Sequence, residues 1–138
     1  MNNAGVSAFN LAIGDGNPAS GYMPASGNML EIANSSQGEN NFLTTKIDSL
    51  NLPGPEIIKI DVEGFELKVL CGAEKTIETY MPKIIIETRS LELRRECHTF
   101  LEKRGYVLKH EGRTVTPKHS WMDEVTNLFY LANGNTQA

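Results

Sequence analysis

Three carboxylates crowd the stretch IIKIDVEGFELKVLCG, residues 57 to 72: Asp61, Glu63 and Glu66, with Gly64 among them. A fourth, Glu87, closes the apolar run KIIIE. Acids gathered where buried strands end can take a proton from a hydroxyl, hold a divalent cation through oxygen ligands, or bond a ligand's polar groups. Each residue also has a plainer use. Asp61 can cap the free N–H groups of a following helix, Glu87 can be a solvated strand terminus, and Glu66 can oppose the helix dipole in a first turn. Strand alternation points Asp61 and Glu63 to the same side. Gly64, straight after them, permits a left-handed turn or the close approach of a ligand.

Other chemistry has little support. His98, His110 and His119 show no metal-ligand spacing with the cysteines, so no metal site is expected. There is no Gly-x-Ser-x-Gly elbow and no phosphate-binding Gly-rich loop with Lys, so nucleophilic catalysis is unsupported. Cys71 and Cys97 read as reduced thiols, and Asn34-Ser35-Ser36 as an unused glycosylation pattern.

The elements that must position the acids follow from periodicity. EIIKIDV, 56 to 62, is nearly continuous in apolar residues, the pattern of a strand covered on both faces. After Gly64 the period lengthens, and Leu67, Val69, Leu70, Ala73 and Ile77 form one helical face, which Gly72 ends or kinks. Pro82 stops that helix, and a second buried strand runs from Lys83 to Glu87. A strand-helix-strand unit makes the two strands parallel neighbours, so Asp61 and Glu87 face one cleft. SLELRRECHTFLEKRGY is an amphipathic helix with Leu93, Cys97, Phe100 and Leu101 inward and Gly105 at its end. YVLKHE and NLFYLAN are two further strands, antiparallel at a sheet edge, joined through a polar loop at Trp121. Upstream, SAFNLAI (7 to 13) and FLTTKIDSL (42 to 50) read as short strands around a Gly-, Asn-, Ser- and Pro-rich excursion, and the tail 134–138 as disordered.

With 138 residues, 40% hydrophobic and 22% charged, the chain is a single domain, 1–138. A net charge of -4 argues against nucleic acid as a partner, because phosphate binding needs clustered cations. No apolar run reaches the ~20 residues of a membrane span and no leader is evident, so a cytoplasmic protein without membrane partners is expected.

The string IKIDVEGFELKVLCGAEKTI followed by PKIIIE resembles the FkbM-type family of S-adenosylmethionine-dependent methyltransferases, on Ile60 to Gly64, Glu66, Leu70 to Ala73 and Ile84 to Glu87. FNLAIGDG and TTKIDSL are similar to the family's third strand and to its segment before the fourth. The resemblance implies a Rossmann-like α/β methyltransferase fold, mostly parallel with an antiparallel edge. It implies S-adenosylmethionine as the cofactor and transfer to the hydroxyl of a sugar or other natural-product acceptor. It places Asp61, Glu63 and Glu87 at the methyl-transfer cleft, with Ala12, Ile13, Asp15, Asp61 and Gly64 toward the cofactor. An in-line displacement at a sulfonium methyl needs alignment and loss of the acceptor's proton, a task a carboxylate suits.

The family's first two strands, with the Gly-rich loop between the first strand and its helix, have no counterpart here. In the family's order 3-2-1-4-5-7-6 they lie beside the strand 56–62, which leaves that strand with an apolar edge to be covered. Three outcomes follow: the 7–13 strand shifts in beside it, a second chain pairs across it, or the chain is a fragment of a longer product, and a homodimer or the shifted strand is expected. Two other readings stay open: a catalytically inactive module acting in binding or assembly, and a carboxylate metal site on Asp61 and Glu87.

Overall fold

Isoleucine-rich runs set the centre of the molecule. A computed structural model describes residues 5–21, 40–114 and 125–134. Its elements are β1 (Pro18–Gly21), β2 (Asn40–Leu43), a 3-10 turn (Ile47–Ser49), β3 (Ile57–Ile60), α1 (Glu66–Gly72), α2 (Glu74–Tyr80), β4 (Lys83–Thr88), α3 (Leu91–Glu102), β5 (Tyr106–Thr114) and β6 (Val125–Ala132). Four of the strands form one sheet in the order β3-β4-β6-β5, and β1 and β2 form a separate antiparallel pair.

β3 and β4 are parallel, in register from Ile57 opposite Lys83 to Ile60 opposite Ile86. β6 then inserts antiparallel between β4 and β5, so the sheet is mixed, with β3, β4 and β5 running one way and the reversed strand inside the sheet and not at its edge. The reason is local: β6 must return from β5 through a short connection, which forces antiparallel neighbours. The face bearing Ile60, Ile84, Ile86, Leu128 and Tyr130 is buried beneath α1 and α3, with Leu70, Ile77, Cys97 and Leu101 completing the core.

The helical run after Gly64 is broken as expected, at Ala73 between α1 and α2. Close packing requires the glycine there, because a Cβ on Gly72 would lie 1.8 Å from the Gly14 carbonyl oxygen. α2 ends on Met81 in a left-handed conformation immediately before Pro82. α3 starts with a Ser90 cap, whose side chain accepts from the Leu93 N–H, and stops before Gly105 at φ +79.

Two expected strands differ. Residues 7–12 are not a strand, and Ile13 makes only an isolated bridge to Thr45. That segment is held instead by Ala12 and Gly14 bonding Thr45, and by the Thr44 hydroxyl bonding Gly16 and Asn17. The 42–50 strand ends at Leu43 and gives way to the 3-10 turn, because the Asp48 carboxylate turns toward α2 and accepts from the Lys75 and Thr76 N–H groups at 3.0 and 2.9 Å. Residues 7–13 therefore do not pair with β3, whose outer edge is unpaired among the described residues. The Trp121 loop and the tail beyond Gly134 lie outside the described residues.

Candidate functional site

The last paired couple of the two parallel strands is Ile60 and Ile86, so Asp61 and Glu87 are the next residue on each chain, side by side at the carboxyl end of the sheet. Ile60 and Ile86 point into the core, and alternation turns Asp61 and Glu87 to the opposite face, away from α1 and α3. The two acids therefore share one face at the strand ends, and they are not bare. Lys59 Nζ donates to Asp61 Oδ2 at 2.9 Å and also feels Glu87, and this bonding raises the lysine's pKa. Asp61 uses its carboxylate on Lys59 and not on the helix N–H groups, so it is not the cap of α1, whose Phe65 N-cap has no side-chain bond.

Glu63 does not sit beside Asp61 as an extended strand residue. Its φ of +52 and Gly64's of +100 make a left-handed turn that swings the Glu63 carboxylate to Arg89, at 2.5 Å for both Nη2–Oε1 and Nε–Oε2. Burial raises the pKa of Glu63, Arg89 pulls it back, and the charges of Asp61 and Glu87 add to the rise. Glu66 is buried at 2% exposure, and both its oxygens accept from the Gly64 N–H at 3.1 Å. Its structural use as an acid in the first turn is thus the observed one.

The upstream residues take a different position. Asp15 accepts from the Asn17 N–H at 3.1 Å and faces Lys68 of α1 at 3.8 Å. Burial works against its charge, but those partners outweigh it and lower its pKa. Ala12 is held by its carbonyl to Thr45. Ile13 alone of the three reaches a large cavity of about 790 Å³ along the edge of β3. Phe9, Leu52, Ile57, Ile58 and Tyr80 supply most of its apolar wall, with Lys59 at the side of the strand-end acids. Lys59 therefore joins two otherwise separate groups of expected residues.

Arg89 and Lys59 escaped the sequence reading. A signal for Arg89 was present in its spacing, two residues beyond Glu87 on the same strand end, where three acids call for a cation. The thiols take no part. Cys97 is buried and its pKa is pushed up to about 12, and burial with Glu74 and Asp15 nearby raises that of Cys71. Among the described residues no group of three or more His, Cys, Asp or Glu is placed to hold a metal ion, and no helix is long and apolar enough to cross a membrane.

No curated protein matches the sequence. A crystal structure of the methyltransferase FkbM from Methylobacillus flagellatus KT superposes with a TM-score of 0.56 at 23% identity, over 93% of this chain and 30% of that one. The chain thus spans about a third of the length of that protein, and at this identity the likeness speaks for the fold. Over residues 6–110 the sequence matches the methyltransferase FkbM domain family, which takes in the acidic strand ends, the turn between them and the Ala12 to Asp15 segment. On that match, the chain belongs to the FkbM methyltransferase domain family.

Proposed function

We propose that the chain takes part in S-adenosylmethionine-dependent transfer of a methyl group to a hydroxyl oxygen of a sugar or other natural-product acceptor. The observation that carries this reading is the pairing of Asp61 and Glu87 at the carboxyl ends of adjacent parallel strands, where open α/β sheets hold their ligands. The order β3-β4-β6-β5 supports it, since it follows the 4-5-7-6 end of the sheet that the resemblance implies.

The residues present suit the cofactor in two respects. Asp61, Glu63 and Glu87 outnumber Lys59 and Arg89 three to two, an excess of negative charge that favours a sulfonium. The cavity beside β3, about 790 Å³ with an apolar wall, is in the size range of nucleotide-sized ligands, roughly 300–1,000 Å³. When bound, the cofactor supplies an electrophilic methyl group on sulfur. Ile13, Ile58 and Tyr80 would flank its nucleoside, and Gly64, with open space where a Cβ would be, leaves room at the strand end. Asp61 is the residue to receive the acceptor's hydroxyl proton, on a carboxylate that Lys59 orients. Glu87 stands next to it as a second acceptor or orienting group. Glu63, committed to Arg89, serves the turn and not the proton transfer.

A second reading, an inactive module of the fold that acts in binding or assembly, is favoured by the outer edge of β3, unpaired among the described residues and able to take a partner strand. Isothermal titration with S-adenosylhomocysteine, repeated with Asp61→Ala, separates the two. Micromolar binding weakened by the substitution supports the methyltransferase, whereas no binding heat supports the module.

A further inference from the structure

We infer that Arg89 is a positioning residue of the strand-end site, acting through Glu63 to fix the turn that carries Asp61 and Gly64. The inference rests on the proposed use of that site, although the geometry behind it does not. Backbone pairing between β3 and β4 stops at Ile60 and Ile86, so nothing in the ladder sets how far Asp61 and Glu87 splay. The next link between the two strand ends is the guanidinium of Arg89, one residue past β4, gripping Glu63, three residues past β3.

That link acts on a backbone that needs holding. A left-handed glutamate is uncommon, since the Cβ of an L-residue crowds its own carbonyl there. Glu63 at φ +52 is followed by Gly64 at φ +100, and the turn is clamped twice: Arg89 holds the Glu63 side chain, and Glu66 holds the Gly64 N–H. Releasing the first clamp lets Glu63 return to the extended region, which moves Asp61 relative to Glu87.

An exposed ion pair would do little of this. Here the side chains are only 32% and 24% exposed, and the guanidinium offers two nitrogens to two oxygens, a fork that lysine cannot form. The charges facing Glu63 are Asp61 from the end of β3, Glu87 from β4, and Arg89 itself. Arg89 is therefore the cation among the charges facing Glu63, and it opposes the rise that burial and the two neighbouring carboxylates cause.

The test begins with the ligand-free chain. Amide and carboxyl NMR spectra are recorded from pH 3 to 8 for the parent, Arg89→Lys, Arg89→Met and Glu63→Gln, with the Leu101 and Tyr130 amides as a check that the core is intact. Both Arg89 variants should shift the Asp61 and Gly64 amides, and Arg89→Met should move the Glu63 titration upward by about one pH unit, the size expected for loss of an adjacent opposite charge. Unmoved Asp61 and Gly64 amides in both variants, or an unmoved Glu63 titration, would overturn the inference. Titration with S-adenosylhomocysteine then reads the link to function. Parent binding weakened about tenfold by Arg89→Met, with no further loss when Glu63→Gln is added, is expected for two groups acting as one unit. Equal binding by parent and Arg89→Met also overturns the positioning role. No binding by the parent removes the cofactor reading instead, and the spectra still decide what Arg89 does.

Discussion

β6 and β3 are both apolar strands of one sheet, yet they live in different surroundings. β6 lies between β4 and β5, and Leu128, Tyr130 and Ala132 are buried in sequence along its inner face. Among the described residues β3 has a neighbouring strand on one side only. Of its four residues Ile60 alone is buried, while Ile57 is 56% exposed and looks into the cavity shared with Phe9 and Tyr80. The half built on β6 is closed by packing and by a network in which Arg94 of α3 reaches Glu111 of β5 at 2.9 Å and the Thr126 hydroxyl of β6. The half built on β3 ends in charges, a left-handed turn and an open edge. Stability is concentrated in one half and the candidate chemistry in the other, a division expected where a site needs accessible groups on a rigid support.

The largest effect should come from testing that division with matched deletions. Leu101→Ala, at a fully buried position on α3, is expected to cost about 2–5 kcal/mol of unfolding free energy in urea denaturation, through lost transfer energy and the cavity left behind. Ile57→Ala, at the exposed start of β3, should cost less than about 1 kcal/mol, because most of its surface is already in water. Similar costs at the two positions would mean that β3 is covered in solution more fully than its edge suggests.

Asp48 and Glu63 sharpen the comparison by titrating in opposite directions. Burial raises the pKa of Asp48, but its bonds from the Thr76 hydroxyl and the Thr76 and Lys75 N–H groups outweigh that and leave it below 3.8. A carboxyl depressed in the folded state stabilises the fold above its unfolded pKa, and that contribution is lost as the pH falls through the folded value. Glu63 is raised above 4.5, so its folded form holds a proton more tightly than the unfolded chain, and stability declines as the pH rises through its folded value. Asp48→Ala should cost about 1–2 kcal/mol at pH 7, as for the loss of a helix cap, and reduce the loss of stability below pH 4. Glu63→Gln should remove the decline just above pH 4.5. Thermal melts from pH 2.5 to 7 read both, and a common sign for the two would refute the assignment.

The parallel unit and its acids were legible because each signal was local. A continuous isoleucine run, a change of period at Gly64, a helix stop at Pro82 and an acid at each strand end sit within 31 residues in a row, Ile57 to Glu87. The insertion of β6 between β4 and β5 was not legible in the local pattern, since neighbouring strands with a short connection read equally well with either of them at the edge, and it came only with the resemblance, whose order 4-5-7-6 it follows. The segments 7–13 and 42–50 misled for another reason. The apolar run of the first and the alternation of the second are genuine, but Ala12, Gly14, Thr44 and Asp48 spend their polar groups on each other's loops and on α2, contacts that depend on distant residues. Glu63 misled by the same kind of cause, because alternation assumes an extended backbone and Arg89 selects a turned one.

The smallest expected change in stability tests the most consequential difference between the halves, the open edge of β3. The Glu56 carbonyl accepts from the Lys83 N–H at 2.9 Å, so in a parallel ladder the even-numbered residues of β3 bond β4, and the N–H groups of Ile57, Lys59 and Asp61 point outward. Lys59→Pro therefore removes an outward donor and leaves the β4 ladder whole, a substitution that sheet edges tolerate. We expect a second copy to cover this edge, and then light scattering should give twice the mass of one chain for the parent and a single mass for Lys59→Pro, with melting temperatures within a few degrees. An antiparallel pairing centred on Ile60 would set each Lys59 opposite the other copy's Asp61, whereas one centred on Lys59 would set like charges together. The exchange Lys59→Asp with Asp61→Lys should thus keep the dimer, and Lys59→Glu alone should weaken it. A parent that runs as a monomer would mean that the edge of β3 stays open to solvent in the isolated chain, and the contrast with β6 would then be as sharp in solution as it is in the fold.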